Sequence, residues 1–184
     1  MVDYIQKYIE EPEAAFKTLR DELAWVQRDN TPRMEYYINS ANVPYTYGRG
    51  AGIREYQPQP AHSLIEALRN RLYVETGALF HVCFLNRYLD QYNQLGWHAD
   101  NSPEMDDAKP IAIISLGAER EIHFAPITAE GKPDKTKVDK VLLHSGSLCL
   151  MPPGMQDTHM HRIPKAGRIV GERISLTFRG YVKP

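Results

Sequence analysis

The sequence predicts a mainly β protein with helices in front of a double-sheet jelly roll or barrel, the architecture that also houses cupins. Three observations predict it. From residue 80 onward short β-rich runs follow one another, FHVCFLNRYL, PIAIISLGA, EIHFAPI, KVDKVLLH, SLCLMPP and RISLTFRGYV, punctuated by Gly, Pro, Asn and Asp. Ahead of them, only two stretches have helical spacing. At 184 residues, with 42% hydrophobic and 24% charged side chains, the chain has the size and composition of one globular domain with a substantial core.

Taken in order, residues 1–30 form an N-terminal helical segment. Ala14, Ala15, Phe16, Leu19, Leu23 and Trp25 recur at near-helical spacing over residues 11–25, and Pro12 suits a first helical turn. Residues 31–60, TPRMEYYINSANVPYTYGRGAGIREYQPQP, differ in kind, with Tyr36, Tyr37, Tyr45, Tyr47 and Tyr56 set among Gly, Pro, Asn and Arg. Each ring can pack on a sheet; together they can also offer a stacking surface for a planar ligand. Residues 61–76 predict a second helix. Leu64, Ile65, Leu68 and Leu72 form its apolar face, Ser63 with Glu66 makes a capping box, and Gly77 supplies the stop. Residues 80–184 form the jelly-roll core, in which TAEGKPDKTK (128–137) is a polar hairpin loop. There is no repeat, low-complexity tract or linker, so residues 1–184 are expected to be a single domain.

Disorder and fibrous architecture are excluded by composition. No apolar run approaches the ~18 residues of a membrane span, and the N-terminal residues lack the pattern of a signal peptide, so a cytoplasmic protein without a membrane partner is expected. Cys83 and Cys149 match no disulfide or zinc spacing and are expected as buried thiols. The formal charge of −1 argues against coating nucleic acid by bulk electrostatics, although residues 109–184 carry 12 basic against 7 acidic side chains.

The chemistry-bearing pattern begins at Trp97-His98-Ala99-Asp100. On an extended strand, His98 and Asp100 point to one face and can share a metal. A third ligand must come from further along, and His144, His159 and His161 are the candidates. Two histidines and a carboxylate make the facial triad that leaves three positions open on Fe(II); a hydrolytic zinc site has the same ligand count. Arg173 and Arg179 decide between them. Six residues apart on one strand, they share a face and suit the two ends of a small dicarboxylate, with Ile174, Leu176 and Phe178 on the opposite, core-facing side.

The ordered set Asn86-Arg87-Tyr88, Trp97-His98-Ala99-Asp100, Pro110 to Gly117 (PIAIISLG), His144-Ser145-Gly146-Ser147-Leu148 and His161, followed twelve residues later by Arg173 and then Arg179 in RISLTFR, resembles the AlkB family of Fe(II)/2-oxoglutarate dioxygenases. The resemblance covers about residues 32–181. It implies a double-stranded β-helix with His98, Asp100 and His161 on iron. It also implies Arg173 on the distal carboxylate of 2-oxoglutarate, Arg179 near the proximal one, and Asn86, Tyr88 and Ser175 beside the same cosubstrate. The activity implied is oxidative demethylation of N-methylated bases in DNA or RNA, of the 1-methyladenine and 3-methylcytosine type. It consumes O2 and 2-oxoglutarate and releases formaldehyde, succinate and CO2.

Because the methyl group must reach the metal, the base must be single-stranded or flipped out. PRMEYYINSANVPYTYG resembles the family's nucleotide-recognition lid, which implies Tyr45, Tyr37 and Tyr47 as substrate contacts; Arg49 and Arg54 are candidate phosphate contacts. Ser102 takes a place where many members carry an acidic residue, with Glu104 as a candidate substitute, and Ser175 stands where Asn is common. The protein is expected to be a monomer. Two other readings are a hydroxylase or demethylase of a protein, tRNA or small molecule, and a non-enzymatic, cupin-like metal-binding module; consumption of 2-oxoglutarate separates the latter from an enzyme.

Overall fold

A computed structural model describes residues 1–28, 31–47 and 53–182 of the chain. The elements in order are β1 (Asp3–Ile5), α1 (Pro12–Glu22), β2 (Val26–Gln27), β3 (Met34–Asn39), β4 (Tyr45–Tyr47), β5 (Arg54–Tyr56), α2 (Ser63–Thr76), β6 (Val82–Tyr88), β7 (Leu95–His98) and β8 (Ile111–Gly117). Then come β9 (Arg120–Pro126), β10 (Asp139–Leu143), β11 (Ser147–Met151), α3 (Met155–Thr158), β12 (His159–Ile163) and β13 (Arg173–Arg179). The strands make a seven-stranded sheet, β1-β11-β8-β13-β6-β3-β2, a four-stranded sheet, β10-β9-β12-β7, and a separate β4-β5 hairpin, all antiparallel. This is the jelly-roll arrangement the sequence predicts.

The large sheet buries both faces, and β13 shows how. All seven of its residues are buried, paired to β6 on one side and β8 on the other. Ile174, Leu176 and Phe178 join Leu19 of α1 and Ile65, Leu68 and Leu72 of α2 in the outer core. The alternate residues, Arg173, Ser175, Thr177 and Arg179, face the other way. On that side Tyr88, Ile113 and Cys149 meet Ile122, Phe124 and Ile163 of the small sheet. Both cysteines are free and buried, and burial pushes the Cys149 thiol up to about 12.

Several local features differ from the sequence reading. The N-cap of α2 is His62, whose Nδ1 accepts from the Leu64 N–H at 3.2 Å, while Ser63 is already helical. Glu66 is drawn instead to Arg69, at 2.6 Å. Gly77 ends the helix in the left-handed region, as expected. The sheet also begins well before residue 80, because β1 and β2 lie in the N-terminal segment and β3 in the tyrosine-rich one. Five of the six β3 residues are buried, which is the pattern of a strand covered on both faces.

Gly117 closes β8 with φ 85°, and a Cβ there would lie 2.5 Å from the Glu172 carbonyl oxygen and 2.8 Å from the Phe16 ring. Gly117→Ala is therefore expected to lower stability by about 2 kcal/mol or more, a fall of several degrees in melting temperature. Gly96→Ala, with open space around the position, should be close to neutral. Thermal denaturation of the two variants side by side checks this, and equal melting temperatures would refute it.

Candidate metal and cosubstrate site

The two histidines come together because β7 and β12 are antiparallel neighbours with His98 opposite His161. Their ring centroids are 4.2 Å apart. Asp100, two residues past the end of the strand, sets Oδ1 3.7 Å from His98 Nε2 and Oδ2 3.8 Å from His161 Nε2. One donor atom from each of the three lies within 4.8 Å of the others, so two nitrogens and a carboxylate oxygen converge on a space the size of one ion. His98 Nδ1 donates to the Gly96 carbonyl at 2.9 Å, which fixes the tautomer with a lone pair on Nε2.

His161 is thus the candidate brought to the cluster. His159 meets the Thr158 hydroxyl at 2.9 Å, and His144 meets Tyr4 Oη at 2.8 Å with Glu119 at 3.8 Å. Gln156, which the sequence reading missed, is 4% exposed and accepts from the Asp100 N–H at 2.9 Å. Its bond crosses 56 positions of the chain, and no local pattern announces it.

Burial, the His98 ring and Arg179 together hold the His161 imidazole down to about 3, against the pull of Asp100. Burial lowers His98 as well. For Asp100, burial acts upward, but Arg179 with Nη1 at 3.4 Å, His98 and His161 outweigh it and keep the carboxyl below its usual range. At neutral pH the cluster therefore presents two neutral imidazoles and one carboxylate, the protonation states a divalent metal needs.

Arg173 is 1% exposed, its Nη2 donates to Ser115 Oγ at 2.8 Å, and among the described residues no acceptor lies in hydrogen-bonding geometry with its Nε and Nη1. A buried guanidinium with two open donors is costly unless an anion completes it. Tyr88 packs against two cations, with the Arg173 guanidinium 5.1 Å and the Arg120 guanidinium 5.5 Å from its ring centre. Arg120, also missed from the sequence, donates to the carbonyls of Asp90, Asn93 and Pro164. Asn86 and Ser175 are cross-strand partners, both buried. Asn86 Oδ1 accepts from Arg33 Nε at 2.5 Å. The buried arginine with open donors fits a carboxylate, and the three-ligand cluster fits a metal.

Beside the cluster opens a cavity, part of its space continuous with solvent, lined by His98, Asp100, Arg179, Asn86 and Leu95 together with Arg33, Tyr45, Tyr56 and Phe84. Tyr45 and Tyr56 are paired across the β4-β5 hairpin and stack at 6.1 Å. Tyr45 Oη is 2.9 Å from Ser102 Oγ. Tyr37 does not reach the cavity wall. It is 1% exposed, stands behind Tyr45, and its hydroxyl bonds the Val43 carbonyl and Asn39. The backbone of Tyr47 closes β4, while its side chain and Arg49 lie outside the described residues. Arg54 is the β5 partner of Tyr47.

Residues 4–179 match the 2OG-Fe(II) oxygenase superfamily. The chain belongs to that superfamily, whose members work with Fe(II), 2-oxoglutarate and O2. Among curated proteins it is similar to DNA oxidative demethylase ALKBH2 of Mus musculus, with 32% identity over 152 residues, covering 82% of this chain and 62% of that protein. It is also similar to alpha-ketoglutarate-dependent dioxygenase alkB homolog 3 of Bos taurus, with 30% identity over 184 residues, covering 93% and 62%. These relatives support the AlkB resemblance, and the chain spans less than two thirds of their length. The solved structure of OsALKBH1 superposes with a TM-score of 0.62 at 16% identity over 97% of each chain, which shows a shared fold. Among the described residues, no helix is long and apolar enough to cross a membrane.

The depressed His161 pKa has a consequence for the metal-free protein. In the unfolded chain this histidine takes up its proton below about 6.5, whereas in the folded protein it does so only near 3. Between those values the unfolded state binds more protons, so stability rises with pH, is fully present above about pH 6.5, and is lost on acidification towards 3. Urea denaturation at pH 7.5 and 4.5 should show a larger acid loss for metal-free wild type than for His161→Phe. An equal loss would contradict the burial described.

Proposed function

We propose that the chain is a single-domain Fe(II)/2-oxoglutarate-dependent demethylase of N-methylated nucleobases in DNA or RNA. The observation that carries this reading is the convergence of His98, Asp100 and His161 in a chain whose inner sheet face also holds a buried guanidinium, Arg173, with Nε and Nη1 open to an anion. His98, Asp100 and His161 would hold the iron. Arg173 would receive the distal carboxylate of the cosubstrate, with Tyr88, Asn86 and Ser175 lining its path and Arg179 supporting the end nearer the metal. When bound, the iron and 2-oxoglutarate supply the oxidising power that activates dioxygen, yielding succinate and CO2. The residues of the chain hold the groups in register and keep water out.

Tyr45 and Tyr56 would hold the base in the cavity that His98 and Asp100 also line. A methyl group placed there is hydroxylated, and the resulting N-hydroxymethyl compound releases formaldehyde and restores the base. A methyl group on a base stacked inside a duplex cannot reach a metal held at His98, Asp100 and His161, so the nucleotide must be unpaired or flipped. The relatives named as DNA oxidative demethylases support a nucleic-acid substrate. Binding to single strands by a monomer is expected to be modest and to weaken with salt.

The test is mass spectrometry of short DNA and RNA strands, each bearing one methylated base (1-methyladenine, 3-methylcytosine, 1-methylguanine or 3-methylthymine), incubated with protein, Fe(II), 2-oxoglutarate and air. Loss of one methylene mass with wild type but not with His161→Ala is the expected result. Succinate formation with every strand still methylated would sink the nucleobase reading and leave the dioxygenase. Arg173→Gln is expected to raise the KM for 2-oxoglutarate by roughly 100-fold, the worth of a bidentate charged contact, with a smaller change in kcat. An unchanged KM would remove Arg173 from the cosubstrate site.

A further inference from the structure

A row of buried polar side chains crosses the inner face of the large sheet. Glu35 of β3 stands opposite Asn86 of β6, Asn86 opposite Ser175 of β13, Ser175 opposite Ser115 of β8, and Ser115 opposite Ser147 of β11. Opposed residues of antiparallel strands share a face, and all five are buried. Such a line of polar groups inside a sheet packing needs partners, from the protein or from a ligand. Two arginines reach it. Arg173 donates to Ser115 Oγ at 2.8 Å. Arg33, the residue just before β3, serves the other end: its Nη2 donates to Glu35 Oε1 at 3.0 Å and its Nε to Asn86 Oδ1 at 2.5 Å.

The bond to Asn86 fixes what that side chain can offer. An arginine has donors and no acceptor, so the carboxamide atom facing its Nε must be the oxygen. The Nδ2 hydrogens then lie on the other arm of the amide, in a residue that lines the cavity together with His98 and Asp100. Freed from Arg33, the amide could turn over and present its oxygen, which a carboxylate or keto oxygen would avoid. Arg33 itself is anchored. Glu35 holds its Nη2 and also meets Arg28 at 3.6 Å, and the Arg28 guanidinium lies 4.4 Å from the centre of the Tyr56 ring.

Resting on the Fe(II)/2-oxoglutarate part of the demethylase reading and not on its nucleobase, we propose that Arg33 is a positioning residue for 2-oxoglutarate. By occupying Oδ1 of Asn86, it turns that amide into a hydrogen-bond donor to an oxygen of the cosubstrate. Arg33 therefore acts on the cosubstrate through Asn86, and the two residues form one unit.

Calorimetric titration of 2-oxoglutarate into Mn(II)-loaded protein, without oxygen, checks this on wild type, Arg33→Met, Asn86→Ala and the double variant. Each single substitution is expected to raise the Kd roughly tenfold, the worth of a hydrogen bond to a charged group, and the double variant to be no weaker than Asn86→Ala alone. An unchanged Kd for Arg33→Met, or a double variant weakened by the product of the two single effects, overturns the proposal. Mn(II) affinity should match wild type throughout, because the three metal ligands are untouched. Arg33→Lys keeps a cation for Glu35 with one nitrogen to serve two acceptors; its Kd should fall between wild type and Arg33→Met, and it replaces Arg33→Met in the cycle if that variant loses Mn(II) binding. Weaker capture of a methylated strand by Arg33→Met at an unchanged 2-oxoglutarate Kd would assign Arg33 to the base instead. Binding of 2-oxoglutarate that follows the expected cycle, with no strand demethylated, removes the nucleobase and supports the role of Arg33; no 2-oxoglutarate binding by Mn(II)-loaded wild type overturns both.

Discussion

The central strand, Arg173–Arg179, is bonded to β6 along one edge and to β8 along the other, and its period of two divides the molecule. Ile174, Leu176 and Phe178 anchor the two long helices to the outside of the large sheet. Arg173, Ser175 and Arg179 stand on the inner face, where charge is tolerated only if it has work to do. A slip of one residue in either ladder would exchange these sets, putting guanidinium groups under the helices and apolar rings at the site. The core and the chemistry are therefore held by the same hydrogen bonds.

Around that strand the site is assembled from distant pieces. The small sheet delivers His98 and His161 as opposed residues, the turn after β7 delivers Asp100, and Gln156 from the short helix α3 fixes that turn through its backbone. The large sheet delivers the arginines and Asn86. Two sheets facing each other can hold a metal ligand set on one and a carboxylate receiver on the other, at a spacing set by the packed side chains between them.

Strands β6, β8 to β11 and β13 are legible in the sequence because their apolar residues are dense and their ends are marked by turn residues. β7 and β12 are not. LGWH and HMHRI give their alternate positions to histidine and arginine, so function erases the hydrophobic pattern that would announce a strand. The three-residue cluster was legible through the spacing of His98 and Asp100 and through the family resemblance, which singled out His161. Tyr37 and Tyr45 look alike in sequence, yet register sends the first behind the second. Arg120 and Arg33 read as ordinary surface charges, because what makes each of them matter is a set of partners 27 to 53 positions away.

The residues that line the cavity differ in how they are held. His98 and His161 belong to continuous ladders, so moving either means breaking backbone hydrogen bonds on two strands. Tyr45 and Tyr56 come from a two-stranded hairpin that, among the described residues, pairs with neither sheet and rests on stacked rings and the Tyr45–Ser102 bond. A two-stranded hairpin has little stability of its own, so side-chain packing sets the width of the aperture. Substitutions in that packing can change its gauge while the strands that carry His98 and His161 keep their dimensions.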